Sequence, residues 1–280
     1  MRSAKIHGIC MVKNEADIIE QNLKSSIKWC DHIYVFDNGS TDGTWNIVKQ
    51  LAKKHTQIIP YIQKKCLFTA GLRREVFNKY KHKAKQGDWW CCRLDADEFY
   101  VDDPKVFLAK IPEKYNTVWG SNFNYHFTTK DLEKYEENND NYSDSKPVEE
   151  KCRYYANTWS ELRFFRHSEK LTWDNSKNWP SLEYHVYPVR IWLKHYQFRS
   201  PQQMQKRLED RKESVIKNKS FIHLKNHIKI DDKNNLLSDS WKSFIAHYAW
   251  LHYDNHDGKL IPRANVGTEL PATIKENPFL

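Results

Sequence analysis

The stretch Trp89-Trp90-Cys91-Cys92-Arg93-Leu94-Asp95-Ala96-Asp97-Glu98-Phe99 constrains this chain more than any other. An apolar run passes straight into carboxylates separated by one small residue. A buried strand over 89–95 is expected to end there and to present Asp95 and Asp97 at its tip. Strand side chains alternate faces, so residues two apart point the same way. Two hard oxygen ligands on one side of a strand end suit Mg2+ or Mn2+ held against a diphosphate. A solvated acidic turn after a strand has the same residue pattern, and D-x-D by itself does not separate the two.

The surrounding chain supplies context. Residues 5–12 predict a buried strand, and 14–28 a helix with Ile18, Ile19, Leu23 and Ile27 near helical spacing and Asn14 as its N-cap. A second strand is expected at 32–37. A turn at 38–43 follows, with Thr41 or Asp42 capping a helix over 43–54. A third strand at 57–62, a basic amphipathic helix at 69–84 and the 89–95 strand complete a fourfold alternation. That order argues for an α/β fold, a mostly parallel sheet with helices on both faces. Ligands of such sheets bind outside the carboxyl ends of the strands, where these acidic and amide residues fall.

Further along, 131–151 is polar and weakly periodic and reads as a mobile loop. Strands are expected at 161–166 and 185–194, and Ser200-Pro201 starts a basic helix over 201–217. Residues 239–253 read as a helix, and the tail from 254 as irregular. The division expected is 1–220 as one domain, with 1–100 holding nucleotide and 101–220 the acceptor, and 221–280 as a C-terminal extension.

Met11-Val12-Lys13-Asn14-Glu15, Asp37-Asn38-Gly39-Ser40-Thr41-Asp42-Gly43-Thr44 and Leu94-Asp95-Ala96-Asp97-Glu98 stand in one order over residues 5–100. In that order and spacing the chain resembles the family 2 glycosyltransferases, which have the GT-A fold. The resemblance weakens at His195-Tyr196-Gln197-Phe198-Arg199-Ser200 and nearly vanishes in 125–160 and after 220. It implies transfer of a sugar from a nucleotide-diphosphate donor, UDP-sugar by family frequency, to a glycan or lipid-linked acceptor, with inversion as the default. It also implies a divalent cofactor, Mn2+ or Mg2+, with Asp97 as direct ligand and Asp95 on the ribose or a metal-bound water. Asp37 would read the nucleobase, and Asn14 or Glu15 would approach base or ribose. Arg73 would face the diphosphate, with Arg74 as its neighbour. His195, after an apolar strand, would complete the metal shell. Glu98 is expected to be a structural acceptor, Asp42 a cap, and Arg199 and Lys206 further countercharges.

The general base is less determined. Glu183, Asp174 and Glu161 are the carboxylates of the acceptor half, with His185 beside them, and Glu183 is preferred for its place shortly before the His195 strand. Geometry decides such a role. Trp159, Trp173 and Trp179 are expected to pack in the core, with sugar stacking as the alternative.

The formal net charge of +9 over 280 residues permits nucleotide, anionic-lipid or nucleic-acid partners without choosing among them. No nucleic-acid motif accompanies it, so nucleic acid is not expected. A sugar nucleotidyltransferase would want a glycine-rich basic loop after the first strand, where this chain has K-N-E-A-D. A non-catalytic glycan-binding protein would have no need of Asp37, Asp95 and Asp97. The six cysteines lack metal-type spacing and are expected as reduced, buried thiols. No apolar run reaches a membrane span, and residues 2–12 read as a strand rather than a signal peptide. The expectation is a cytoplasmic protein, open to peripheral contact with an anionic membrane face.

Overall fold

The computed structural model describes residues 3–69, 71–174, 177, 179–218, 222–255 and 259–262. The contacts divide the chain into two compact units, one drawing on Met1–Phe123 and Asn157–Lys194, the other on Asn124–Ala156 and His195–Ile261. The boundary expected at residue 220 is not where the chain divides. The reason is chain order: the second unit is assembled from two separated segments, which a linear reading cannot foresee.

In the first unit β1 (Ile6–Val12), β2 (His32–Asp37), β3 (Ile58–Gln63) and β4 (Trp89–Cys91) form the parallel part of the sheet, in the order β3-β2-β1-β4. Val12 of β1 stands opposite Asp37 of β2, and Gly8 opposite Cys91 of β4. β4 then pairs antiparallel with β7 (Tyr154–Arg166), and the order continues through β6 (Thr117–His126) and β8 (Ile191–His195) to β5 (Glu98–Tyr100). The sheet is therefore mixed, with its parallel half in the first hundred residues as expected.

All seven residues of β1 are buried, which accounts for a run without polar alternation. α1 (Ile19–Ser26) buries Ile19, Asn22, Leu23 and Ser26, α2 (Thr44–Lys54) buries Val48 and Leu51, α3 (Gly71–Tyr80) buries Arg73, Val76 and Phe77, and the short α4 (Pro104–Ala109) buries Pro104 and Leu108. Ile9, Tyr34, Phe36, Phe77, Trp90, Phe165, Trp173 and Trp179 meet in one core cluster. Trp173 and Trp179 are thus core residues, whereas Trp159 is 39% exposed. α1 starts later than expected. Asn14 does not cap it, because its φ of 52° places it in the left-handed region, which asparagine tolerates better than most residues.

In the second unit the expected loop at 131–151 is instead α5 (Thr129–Glu137), a short 3-10 turn and α6 (Val148–Lys151). Thr128 and Asp131 form a capping box: the Thr128 hydroxyl accepts from the Asp131 N–H, and the Asp131 carboxylate accepts from the Thr128 N–H. That T-x-x-D signal outweighs the polar composition. α7 (Pro201–Asn218) starts at Pro201 as expected and buries Met204, Leu208 and Val215 against Phe127, Tyr142, Phe198 and Phe244. The expected helix at 239–253 is two 3-10 turns followed by β9 (His252–Tyr253), which pairs with Tyr154 and Tyr155. Of the tail, 263–280 lies outside the described residues. All six cysteines are free thiols, five of them buried. Among the described residues no helix is long and apolar enough to cross a membrane.

Candidate active site

The carboxyl ends of β2, β1 and β4 lie side by side, and the loops leaving them are tied together. The Asn14 N–H donates to Ser40 Oγ (2.9 Å), and Asn14 Oδ1 accepts from the Thr41 N–H (2.7 Å). The Glu15 N–H donates to Thr44 Oγ1 (2.9 Å), and the Ala16 N–H to Asp42 Oδ2 (3.0 Å). Asp42 Oδ1 accepts from the Thr44 N–H (3.0 Å) and hydroxyl (2.6 Å), but the N-cap of α2 is Gly43, so Asp42 braces the turn before the helix rather than capping it as expected. Asn14 and Asp42 together hold the β1 loop against the β2 loop.

Asp37, the last residue of β2, is fully buried. Its Oδ1 accepts from the Ser40 N–H (2.6 Å) and from Gln63 Nε2 (3.5 Å), whereas Oδ2 is buried without a hydrogen-bond partner. Burial raises the Asp37 pKa above the ordinary carboxylate range, and the Ser40 N–H only partly offsets it. A buried carboxylate oxygen without a donor is costly, and a ligand N–H would satisfy it. Asn38, also buried, accepts from the Cys66 N–H (3.0 Å) and thiol (3.1 Å). Gly39 has φ +75°, and a Cβ there would come 2.8 Å from Lys65 Cα, so this turn needs glycine.

β4 ends at Cys91, four residues earlier than expected, and Asp95 and Asp97 sit in a turn rather than at a strand tip. Strand alternation therefore does not set their directions. The turn is held by other means: the Leu94 N–H donates to the Ile9 carbonyl (3.1 Å), and Asn22 Nδ2 to the carbonyls of Asp95 (3.2 Å) and Glu98 (2.7 Å).

Arg73 is not on a solvated helix face. It is buried in α3, its Nη2 donates to Asp95 Oδ1 at 2.8 Å, and its guanidinium lies over the Phe68 ring. Arg74 instead donates to the Asp174 carbonyl (3.4 Å). Burial disfavours the Asp95 charge, but Arg73, then Arg93 and Arg163, outweigh it and hold the carboxyl below its ordinary range. Cys10 of β1 reports the same convergence. Burial raises its thiol, Asp95 raises it further, and Arg73 and Glu15 also act on it.

Beneath this turn lies an ion-pair cluster that sequence reading missed. Arg163 donates to both Glu98 oxygens (2.5 and 2.7 Å) and contacts Glu161 Oε1 at 2.7 Å, and Arg93 donates to Glu161 Oε2 at 2.5 Å. Arg93 also stacks on Trp179, 4.6 Å from the ring centre. Glu98 is thus the structural acceptor expected. The available signal was Glu161 and Arg163, opposite charges two apart around Leu162 and next to the apolar Phe164 and Phe165, since buried charges come in pairs.

The donor set fits a hard divalent cation in kind. Asp97 is buried and near enough to disfavour ionisation of Asp95, and the cluster holds four carboxylates against three guanidiniums. Among the described residues no three His, Cys, Asp or Glu side chains are arranged to hold a metal by themselves.

Glu183 does not join these residues. Trp89, the first residue of β4, pairs with Arg166, whose N–H donates to the Asn116 carbonyl (2.7 Å). Asn116 Nδ2 in turn donates to the Glu183 carbonyl (2.6 Å). Glu183 therefore lies at the amino-terminal edge of β4, opposite the Asp95 end, with its side chain 87% exposed and 3.6 Å from His185. Glu161 belongs to the site but is ion-paired to both Arg163 and Arg93, which hold its pKa down against burial. His195 ends β8 as expected and belongs to the second unit, where its Nδ1 is 2.9 Å from Asn124 Oδ1. Arg199 is fully buried there and donates to the Tyr196 carbonyl, and Lys206 pairs with Asp210 at 3.3 Å. Those contacts are within the second unit.

A family model described as "Glycosyl transferase family 2" matches residues 9–179, more than half of the chain and all three loops. The chain belongs to glycosyl transferase family 2. Its mixed α/β sheet is the GT-A fold that goes with that membership. No curated protein sequence matches the chain. Among solved structures, the mannosyltransferase PcManGT from Pyrobaculum calidifontis, in complex with GDP-Man and Mn2+, is similar at 18% identity and a TM-score of 0.32. The match covers 49% of this chain and 39% of that one, so the chain spans well under half the length of that relative. A likeness at that level adds nothing to the family assignment.

Proposed function

We propose that this family 2 chain is a glycosyltransferase that moves one sugar from a nucleoside diphosphate donor, UDP-sugar favoured, to a glycan or lipid-linked glycan, with inversion. The observation that carries the donor reading is Asp37: a buried carboxylate at a strand's carboxyl end with one oxygen satisfied and the other without a donor. Uracil and guanine carry a ring N–H that such an oxygen accepts; cytosine and adenine present a bare ring nitrogen on the same edge. Asn14 and Glu15 flank the base and ribose from the neighbouring loop. Arg73, held on Asp95, supplies positive charge beside the diphosphate.

In this reading Asp97 would hold a divalent cation, Mn2+ or Mg2+, together with phosphate oxygens and water, as is usual for Mg2+. Such an ion supplies Lewis-acid stabilisation of the leaving diphosphate. Asp95, kept ionised by Arg73, orients the ribose or the ion's water. Glu183 is not assigned as the base, because it stands by the amino-terminal end of β4, away from Asp95.

Calorimetry of UDP, GDP and CDP against the protein with Mn2+ tests the reading. Tighter binding of UDP or GDP than of CDP, lost in Asp37→Asn, is expected. Equal affinity for all three, unchanged in the variant, overturns the base assignment. EDTA should weaken binding in the wild type and change nothing in Asp97→Ala.

A further inference from the structure

We infer that Arg163 is a positioning residue for the acidic turn: its guanidinium clamps the residues on either side of Asp95 and Asp97, and so fixes where those carboxylates stand. The inference rests on the transferase reading above and assigns a role to a residue outside the donor contacts named there.

Three observations carry it. First, the contacts bracket the turn. Arg163 Nη1 donates to the Arg93 carbonyl (3.4 Å), two residues before Asp95, and to Glu98 Oε2 (2.5 Å), one residue after Asp97. Nη2 reaches Glu98 Oε1 (2.7 Å), Glu161 Oε1 (2.7 Å) and Asn122 Oδ1 (3.2 Å). The Arg163 carbonyl accepts from the Cys92 N–H (3.0 Å), so backbone and side chain hold the same segment. Second, β4 stops at Cys91, and past it, among the described residues, the backbone of neighbouring strands holds the segment only through the Cys92 and Leu94 N–H groups. Around Asp95 and Asp97 the side chains of Arg163 and Asn22 supply the remaining ties.

Third, room has been left for the clamp. Arg163 is fully buried beside Gly120, where a Cβ would fall 2.7 Å from Arg163 Cγ and 2.7 Å from Leu193 Cδ2. Buried ion pairs contribute little net stability compared with apolar residues of the same size, and their best-attested use is to fix one arrangement among several. A planar fork with five donors in fixed directions does this; an ammonium, a point charge, does not. A displacement of about 1 Å at reacting groups can cost about 10²-fold in rate.

The test is Arg163→Lys, which keeps the charge and loses the fork. Release of nucleotide from UDP-glucose, UDP-galactose, UDP-N-acetylglucosamine and GDP-mannose is measured with Mn2+ and water as acceptor, and the best donor is used for kinetics. The variant should stay folded by circular dichroism and lose roughly 10²-fold in kcat. Affinity for the free nucleotide in EDTA, which depends on Asp37, should match the wild type. The kcat loss should persist on cooling well below the melting point. A folded variant with wild-type kcat overturns the inference. So does a loss that vanishes on cooling, or one shared equally by metal-free nucleotide binding, because either marks a purely structural role. If Arg163→Lys does not fold, Glu98→Gln is read in the same way, and if neither folds, Arg163 is a folding determinant and the inference falls. A wild-type protein that releases nucleotide from no donor refutes the transferase reading itself, and this inference with it. That result is distinct from an active wild type beside an equally active variant.

Discussion

Acidification from pH 7 to pH 5 should destabilise this protein through His7. The imidazole is fully buried, stacked between His32 (5.0 Å) and Trp90 (4.9 Å), with Nδ1 3.2 Å from the Tyr34 hydroxyl. Its Nε2 is 3.7 Å from Asp88, whose two oxygens already accept from the Lys5 and Lys85 N–H groups. Burial, reinforced by His32, lowers its pKa from 6.5 to about 4, and Asp88 compensates only in part. The unfolded chain takes up the proton near pH 6.5, the folded chain only near pH 4. Stability therefore falls as pH drops through this window, and the loss is complete below the folded value. At pH 5 the proton-binding terms of the two states differ by a factor of roughly 30, about 2 kcal/mol, nearly all of it absent at pH 7. Urea unfolding of the wild type and of His7→Gln at both pH values measures it. The wild type should lose about 2 kcal/mol more than the variant over this interval. Equal losses would show that His7 does not titrate differently in the folded state and would refute the reasoning.

Asp37→Asn replaces the unsatisfied oxygen or sets an amide donor beside it, and should weaken UDP roughly 10- to 100-fold by calorimetry, the range for a hydrogen bond to a charged group. Arg73→Met removes the main partner of a partly exposed Asp95 and should cost roughly 2 kcal/mol in urea unfolding, less than a fully buried pair would, along with most of the transfer rate. Thr128→Ala breaks the capping box and should lower hydrogen-exchange protection across Thr129–Glu137 by about 1 kcal/mol. Gly120→Ala should cost about 1–3 kcal/mol in thermal unfolding, because Arg163 and Leu193 must both give way.

Much of the first hundred residues is legible in the sequence because the forces there are local and periodic. Fully buried parallel strands have to be apolar runs, and the loops between them carry glycine and asparagine where φ turns positive. Hence β1 to β4, the helices between them and the convergence of Asn14, Glu15, Asp37, Asp95 and Asp97 on one sheet edge follow from pattern and packing rules. Past residue 120 composition misleads. The polar 131–151 stretch is helical through its capping box, and the aromatic 239–253 stretch has helical spacing at Trp241, Phe244, Ile245 and Tyr248 yet forms two 3-10 turns and a strand paired with Tyr154 and Tyr155.

What only the tertiary structure decides is pairing. The sequence alone places Asp95 and Asp97 after a strand, yet that strand stops at Cys91, and the turn is fixed by contacts of Arg163 and Asn22 with Glu98 that join residues up to 76 apart in the chain. It offers Glu183, Asp174 and Glu161 as candidate bases with Glu183 preferred, and the fold puts Glu183 at the amino-terminal end of β4 and Glu161 between two arginines. Residue type and period are properties of a segment and can be read along it. Which buried charge meets which partner is a property of the packed core, and no local pattern encodes it.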